Sequence, residues 1–184
     1  SDTTTRMAEG EVQQLINTGD LNVDEARYLN VIRSKTAILI AAACEVGAVL
    51  AESPAEHIKA LREFGLEIGT AFQLMDDALD YVAEQEDFGK AKGHDLAEGK
   101  MTLPLIHAYA HVDDQQKQEL SRIVLSEELS AIDLVYVCEL IAANDGIEYT
   151  RQKAAERVES AKKHLQIFPD CEARSALFDL ADYV

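Results

Sequence analysis

The amino-acid sequence predicts an all-α protein, and three observations support this fold class. Apolar residues recur with the spacing of amphipathic helices along nearly the whole chain. The apolar/polar alternation that marks strands, bounded by turn dipeptides, is not found in the sequence. Only 3 of the 184 residues are prolines, so few positions interrupt a helix. We therefore predict an antiparallel bundle of long helices.

Helix breakers divide the chain into its predicted elements. The first helix stops at Thr18-Gly19-Asp20, and the second stops before Ser53-Pro54, because the residue before a proline disfavours helix. Ser53 is a candidate N-cap of the third helix, with the proline in its first turn. Later breaks are Asn144-Asp145-Gly146 and Pro169-Asp170. The predicted helices cover approximately residues 4–17, 24–51, 54–84, 103–111, 115–125, 131–143, 147–168 and 172–183, with a loop over 85–101.

The third predicted helix also contains the seven-residue repeat of a coiled coil. The repeat consists of Leu61, Ile68, Met75 and Val82, with Gly65, Phe72 and Leu79 four residues further on. Small residues weaken an isolated helix, and this segment contains Gly65, Gly69 and Ala71. They permit close approach of another helix or leave room for a ligand. A bundle is therefore favoured over a plain coiled coil.

The charge of the chain restricts its partners. The net charge is −17, from 34 acidic and 17 basic residues. Nucleic acid is excluded as a partner, because phosphate backbones are bound by dense Lys and Arg clusters that this sequence lacks. An acidic protein that binds an anionic substrate needs metal ions to reverse the local field. The few lysines close to acidic residues therefore become candidates for binding.

Cysteine usage and hydropathy indicate the compartment. Cys44, Cys138 and Cys171 are far apart in sequence and form no metal-binding or redox motif, as expected in a reducing environment. The first residues lack the basic and apolar pattern of a signal peptide. The most apolar run, residues 37–51, contains Glu45 and is shorter than the roughly 20 residues of a membrane span. We expect a soluble, cytoplasmic protein without an integral membrane segment.

Asp76, Asp77 and Asp80, here called the three-aspartate group, lie near the end of the third predicted helix. At about 100° per residue, Asp76 and Asp80 share a face with Gln73, whereas Asp77 points further round and has a supporting role. This face borders an apolar stripe made of Phe72, Met75 and Leu79. The carboxylates are therefore expected at the rim of the core.

Carboxylates clustered at such a rim repel one another unless a cation is bound. Mg²⁺ fits best, because it accepts one or two carboxylates and keeps its other positions for water and phosphate oxygens. In a chain this acidic, neighbouring aspartates also occur by chance, and Asp113-Asp114 is read as such a pair.

Lys35-Thr36 precedes the apolar run 37–44, which is hydrophobic on all sides and is predicted to be buried. A lysine at that place costs free energy unless it is paired or extends to water. In one interpretation its charge meets a phosphate, with the Thr36 hydroxyl beside it. The alternative is an ion pair with Glu45 or another acid.

The loop after the three-aspartate group carries Lys90 and Lys100, flanked by Gly89, Gly93 and Gly99. Glycines let a backbone fold closely around a ligand. The spacing is not that of a Walker motif, which excludes a nucleotide loop. Together these lysines and the three-aspartate group favour a polyanion held through divalent cations.

Two strings of residues resemble motifs of the trans-type polyprenyl diphosphate synthases. The second aspartate-rich region of that family is similar to Phe72-Gln73-x-x-Asp76-Asp77-x-x-Asp80 followed by Gly89-Lys90-x-x-Gly93-x-Asp95-Leu96-x-x-Gly99-Lys100-x-Thr102-Leu103-Pro104. Its lysine–threonine segment is similar to Tyr28-x-x-x-Ile32-x-x-Lys35-Thr36-Ala37. Residues 8–15 and the tail most resemble the octaprenyl branch. The resemblance covers essentially the whole chain and is specific, since many spaced residues match together.

The resemblance implies a prenyltransferase of the isoprenoid synthase fold, here a partial bundle. Such an enzyme ionises an allylic diphosphate, condenses it with isopentenyl diphosphate and passes the released proton to pyrophosphate. By this likeness the three-aspartate group would bind Mg²⁺, supported by Asp95, and Gly69 or Ala71 could line an apolar tunnel for the product. The residues implied to bind the diphosphate are Lys35, Thr36, Gln73, Lys90 and Lys100.

The sequence also departs from the family pattern. The first aspartate-rich motif, an arginine pair and the isopentenyl diphosphate site are expected upstream, yet no three spaced aspartates precede Asp76. We expect the C-terminal half of a synthase domain over residues 1–184, inactive alone, and a homodimer, because apolar helix faces would be exposed. The alternatives are a non-catalytic helical subunit of a two-component synthase, which would not need the aspartates and lysines, and a terpene cyclase relative, which lacks the lysine-bearing loop.

Overall fold

The computed structural model describes residues 2–82, 92–126 and 128–184. Every regular element within these residues is helical, which confirms the predicted all-α class. The α-helices are α1 (Asp2–Asn17), α2 (Glu25–Ile32), α3 (Ile38–Leu50), α4 (Ala55–Val82), α5 (His94–Ala97), α6 (Leu103–His111), α7 (Asp114–Val124), α8 (Ala131–Ala143), α9 (Gly146–His164) and α10 (Glu172–Tyr183). Among them, none has the length and apolarity that crossing a membrane requires.

Most of the predicted helix boundaries are confirmed, since they rest on local signals. The break at Ser53-Pro54 separates α3 from α4, and Asn144-Asp145-Gly146 separates α8 from α9. A π-helical segment, Arg33–Ala37, interrupts the single helix predicted over 24–51. The loop predicted over 85–101 contains the four-residue helix α5, which is too short to show a helical period in the sequence.

Asp113-Asp114, interpreted from the sequence as a chance pair, contains the N-cap of α7. The Asp113 side chain accepts a hydrogen bond of 2.8 Å from the Gln116 backbone N–H. In return the Gln116 side chain accepts one of 3.1 Å from the Asp113 N–H. This capping box satisfies two donors that the start of a helix would otherwise leave unpaired. Asp114 is exposed in the first turn.

The chain divides into two compact units. The first comprises Ser1–Glu11, Asn30–Gln73 and Gln152–Val184, and the second comprises Val12–Leu29 and Leu74–Arg151. Helices α1, α2, α4 and α9 each have residues in both units. The sequence-based assignment of residues 1–184 to one all-α domain stays a prediction.

The core of the first unit forms where α4 meets the C-terminal helices. Phe64 and Ile68 of α4 are buried together with Ala161, Leu165 and Ala181. Partly buried side chains complete this cluster, namely Cys44, Leu61, Val158, Phe168, Leu177, Phe178 and Val184.

Gly69 lets α4 approach the π segment closely within the same unit. A Cβ atom on Gly69 would lie 2.6 Å from the Cα of Ala37. Ala71 is fully buried. Gly69 therefore supports the interpretation that small residues permit close helix approach, and a tunnel lined by Gly69 or Ala71 stays a prediction.

The heptad stripe proposed for α4 does not match its burial. Phe72 and Leu79, assigned to the core, are 51% and 47% exposed. The residues that α4 does bury include Phe64, Ile68, Ala71, Leu74, Ala78 and Tyr81. Apolarity alone misplaces the stripe, because alanine and glycine occupy the positions where other elements come closest.

The apolar run that follows Lys35-Thr36 is also not buried on all sides. Ala37 and Ala41 are fully buried, whereas Leu39 is 52% exposed and Leu50 at the end of α3 is 79% exposed. The buried positions recur with helical spacing, so α3 hides one face and leaves an apolar face open.

Candidate functional site

Lys35 and Thr36, two of the predicted diphosphate-binding residues, lie in the π segment of the first unit. The Thr36 hydroxyl donates a hydrogen bond of 3.0 Å to the side-chain oxygen of Gln73 in α4. Single π turns inside α-helices occur frequently at functional sites. The structure therefore brings together two candidates that are separated by 37 positions in the sequence.

Lys35, from the same π segment, forms an ion pair with an acid, as one of the two sequence interpretations predicts, and the acid is Glu11 rather than Glu45. Its ammonium lies 3.0 Å from Glu11 Oε2, and the two side chains are 34% and 53% exposed. Glu45 instead lies 3.7 Å from Arg62 Nε. Ion pairs this exposed contribute at most about 1 kcal/mol, so a multivalent anion can displace Glu11 from Lys35.

The members of the three-aspartate group have different environments in α4. Asp76 is exposed, Asp80 is half-buried and Asp77 is only 4% exposed. This differs from the predicted arrangement, in which Asp76 and Asp80 border the core and Asp77 lies further round. The face that includes Leu74 and Ala78 is the buried one, and Asp77 lies on it.

The buried carboxylate of Asp77 has a partner that the sequence does not reveal. The Tyr28 hydroxyl donates a hydrogen bond of 2.6 Å to Asp77 Oδ2, and Tyr28 is 4% exposed. Burial, and then the Asp77 carboxylate, raise the pKa of Tyr28 well above its ordinary value. Tyr28 lies in the lysine–threonine motif string, but no sequence signal pairs it with a residue 49 positions away.

Asp80 is hydrogen-bonded to the N-terminus of α5 in the second unit. Its Oδ1 accepts a hydrogen bond of 3.2 Å from the His94 N–H, and its Oδ2 accepts one of 3.1 Å from the Asp95 N–H. Its main-chain carbonyl accepts a hydrogen bond of 3.0 Å from the Gly93 N–H. Burial raises the pKa of the Asp80 carboxyl, and the two N–H donors oppose that rise.

Asp95, in the first turn of α5, forms an ion pair with Lys100. The Lys100 ammonium lies 2.9 Å from Asp95 Oδ1 and 2.5 Å from Glu98 Oε2. Burial lowers the pKa of Lys100, but hydrogen bonds to Glu98 and Asp95 outweigh this and leave the pKa above its ordinary value. The ammonium therefore stays charged throughout the physiological pH range.

Not every predicted site residue can be placed. Gly89 and Lys90 lie outside the described residues. Within residues 2–82, 92–126 and 128–184, no three His, Cys, Asp or Glu side chains are grouped closely enough to hold a metal ion. Mg²⁺ needs only one or two protein carboxylates, so the oxygen donors of the three-aspartate group fit its chemistry.

The two buried tyrosines of this region predict a loss of stability at alkaline pH. Tyr81 is buried, which raises its pKa, and its hydroxyl accepts a hydrogen bond of 3.3 Å from Thr102. Because Tyr28 and Tyr81 are neutral in the folded chain and titrate near 10 when unfolded, their stabilisation is complete below pH 10. Above that pH the free energy of unfolding falls by about 1.4 kcal/mol per pH unit for each of the two tyrosines.

Urea unfolding in metal-free buffer at pH 9, 10 and 11 measures this loss. Tyr28→Phe is expected to lose one of the two contributions to the slope above pH 10. Equal slopes for the variant and the parent chain would contradict the assignment of Tyr28 as a buried neutral phenol.

Comparison with known proteins gives the family context. The polyprenyl synthetase family model matches residues 1–141. Octaprenyl diphosphate synthase of Escherichia coli is 44% identical over 175 residues, which cover 95% of this chain and 54% of that protein. The Haemophilus influenzae octaprenyl diphosphate synthase is 41% identical over 182 residues, covering 98% of this chain and 55% of that protein. The chain thus spans about half the length of the curated relatives that it matches.

Solved structures show the same likeness. A polyprenyl synthase from Caulobacter crescentus, complexed with calcium and isoprenyl diphosphate, superposes with a TM-score of 0.94 at 42% identity, covering 99% of this chain and 56% of that one. A decaprenyl diphosphate synthase from Rhodobacter capsulatus superposes with a TM-score of 0.92 at 37% identity, covering 99% of this chain and 56% of that one. The matched residues and the shared all-α fold place this chain in the polyprenyl synthetase family.

Proposed function

We propose that this chain forms the diphosphate-binding part of a trans-polyprenyl diphosphate synthase, most similar to octaprenyl diphosphate synthases. Such an enzyme joins isopentenyl diphosphate to an allylic diphosphate in the synthesis of isoprenoid and quinone side chains. The observation that carries the proposal is the Caulobacter crescentus synthase, which is 42% identical and was solved with calcium and isoprenyl diphosphate. This chain has carboxylates and ammonium groups suited to both ligands.

Four described residues are proposed to bind the diphosphate. Lys35 supplies an ammonium that forms an exposed ion pair, and Thr36 and Gln73 supply a hydroxyl and an amide already 3.0 Å apart. Lys100 supplies an ammonium whose raised pKa keeps it charged. Lys90, outside the described residues, is proposed for the same role from the motif string.

The three-aspartate group is proposed to form the site of a divalent cation, with the exposed Asp76 as a direct ligand, and we propose Mg²⁺. When bound, the cation would neutralise the negative charge that develops on the departing pyrophosphate. The lysine ammonium groups would stabilise the same developing charge on the pyrophosphate. Their positive charge is fixed in place before the reaction, so it acts most strongly in the transition state. No side-chain nucleophile is needed, since the bond to the allylic carbon breaks by ionisation.

A homodimer and a cytoplasmic location are proposed with the activity. The exposed apolar side chains of α3 support the dimer, because large apolar patches on a protein surface mark interaction sites. The free thiols of Cys44, Cys138 and Cys171 support a reducing compartment. Light scattering that finds only monomers at micromolar concentration would count against the dimer.

Titration calorimetry with inorganic pyrophosphate tests the proposed function on this chain. We expect binding that requires Mg²⁺ and that weakens by about tenfold or more in Lys100→Met, because charge-assisted hydrogen bonds to phosphate are among the strong ones. Asp114→Ala, an exposed acid outside the proposed site, is the matched control and should bind normally. Absence of Mg²⁺-dependent binding by the parent chain would favour the non-catalytic helical subunit instead.

A further inference from the structure

We propose that Asp80 is a positioning residue, which anchors α5 and through Asp95 orients the Lys100 ammonium, rather than a ligand of the cation. The inference rests on the proposed function, since that function gives Lys100 a diphosphate to bind. It assigns different roles to carboxylates that the sequence pattern treats as equivalent.

The first step is the attachment of α5 to Asp80. Both carboxylate oxygens of Asp80 accept backbone N–H groups, from His94 and Asp95, and its carbonyl accepts the Gly93 N–H. A helix of only four residues cannot nucleate by itself, so it depends on such outside contacts. A carboxylate at its N-terminus also meets the positive end of the helix dipole.

Gly93 makes this attachment possible by its backbone conformation. Its φ is +76°, a left-handed value that residues with a Cβ rarely adopt. A Cβ at this position would also lie 2.3 Å from Leu134 Cδ1 in α8. The turn from Gly93 into α5 is therefore closely packed, and the two N–H groups that follow it point to Asp80.

The second step connects α5 to Lys100. The main-chain carbonyl of Asp95 accepts the Lys100 N–H at 2.9 Å, and its side chain accepts the Lys100 ammonium at 2.9 Å. The side chains of Lys100 and Asp95 are only 22% and 18% exposed. Asp95 thus contacts Asp80 through its N–H and fixes Lys100 through its two acceptors.

The third step distinguishes Asp80 from Asp76. The i, i+4 spacing predicts that both carboxylates meet one cation. In the structure Asp76 is exposed, whereas the Asp80 carboxylate has both oxygens directed at α5. Moving Asp80 onto a cation would remove acceptors from two N–H groups and release the segment that holds Lys100.

Hydrogen exchange of the metal-free chain tests the anchor directly. In Asp80→Ala we expect the amides of residues 94–100 to exchange at least about tenfold faster than in the parent chain, as expected when outside contacts of a marginal helix are lost. Asp76→Asn, which keeps the Asp80 contacts, should leave these amides unchanged. Protection of α8 in both variants reports that the fold is intact. Unchanged exchange at 94–100 in Asp80→Ala would overturn the anchor, whatever the chain catalyses.

A thermodynamic cycle tests whether Asp80 acts through Lys100. Calorimetric Kd values for magnesium pyrophosphate are compared among the parent chain, Asp80→Asn, Lys100→Met and the double variant. Asp80→Asn is expected to weaken binding about tenfold in the parent chain, as does the loss of other residues that orient a ligand-binding group. When Lys100 is already replaced, the same substitution should weaken binding less than about twofold, because Asp80 would then have no ammonium to orient.

An equal loss in both backgrounds would identify Asp80 as a direct ligand of the cation and overturn the proposal. A parent chain that binds no magnesium pyrophosphate would contradict the proposed function, and the exchange experiment would then decide the anchor alone.

Discussion

A Gly69→Ala variant of this chain is expected to lose about 2 kcal/mol or more of unfolding free energy. The new Cβ would lie 2.6 Å from the Cα and 2.9 Å from the Cβ of Ala37, in the π segment. Neither atom can rotate away, so α4 and the π segment must move apart. Overpacking of this kind outweighs the gain in helix propensity, which is about 1 kcal/mol. Urea unfolding followed by circular dichroism measures the change.

Gly47→Ala is the matched control for this prediction. Gly47 lies in α3, and an added Cβ would have nothing within 4 Å. This variant is therefore expected to gain about 0.5–1 kcal/mol from helix propensity alone. Two variants of equal stability would mean that Gly69 is not in close contact with Ala37.

Asp76→Ala is expected to have the largest effect on catalysis. The test uses a hybrid of the Escherichia coli octaprenyl diphosphate synthase in which this chain replaces its matching segment, 44% identical over 175 residues. Loss of one cation-binding carboxylate removes several kcal/mol of charge stabilisation, so kcat should fall about 100-fold or more. Incorporation of labelled isopentenyl diphosphate measures the rate.

Asp114→Ala in the same hybrid serves as the control, since Asp114 is also an exposed acid of a helix in the second unit. Asp114 lies in the first turn of α7 and outside the proposed site, so the rate of the Asp114→Ala hybrid should stay within about twofold of the parent hybrid. An Asp76→Ala hybrid with the parent rate would remove Asp76 from the mechanism as a cation ligand. Thermal melts of both variants report whether either has lost its fold.

Local signals made much of the fold predictable. Proline, glycine and capping residues act within a few positions of their own place in the chain, so breaks such as Ser53-Pro54 could be placed closely. The all-α class followed from the same helical spacing. The motif strings likewise identified the family, because they are continuous in the sequence.

Tertiary contacts could not be read in the same way. The stripe of Phe72 and Leu79 looked like core, because apolarity does not show which face of α4 other elements approach. The partners of Asp77 and Asp80 come from Tyr28 and from α5, which no spacing rule connects to them. Chemistry-bearing residues were therefore found from sequence, whereas the division of roles among them required geometry.

The π-helical segment Arg33–Ala37 changes how side-chain directions along the neighbouring helices should be compared. A helical wheel drawn continuously from α2 into α3 assumes about 3.6 residues per turn, and a wider turn contains one residue more. Every position after Ile38 is then drawn about 100° from its true direction. The helical phase must therefore restart at Ile38 before the outward faces of α2 and α3 are compared.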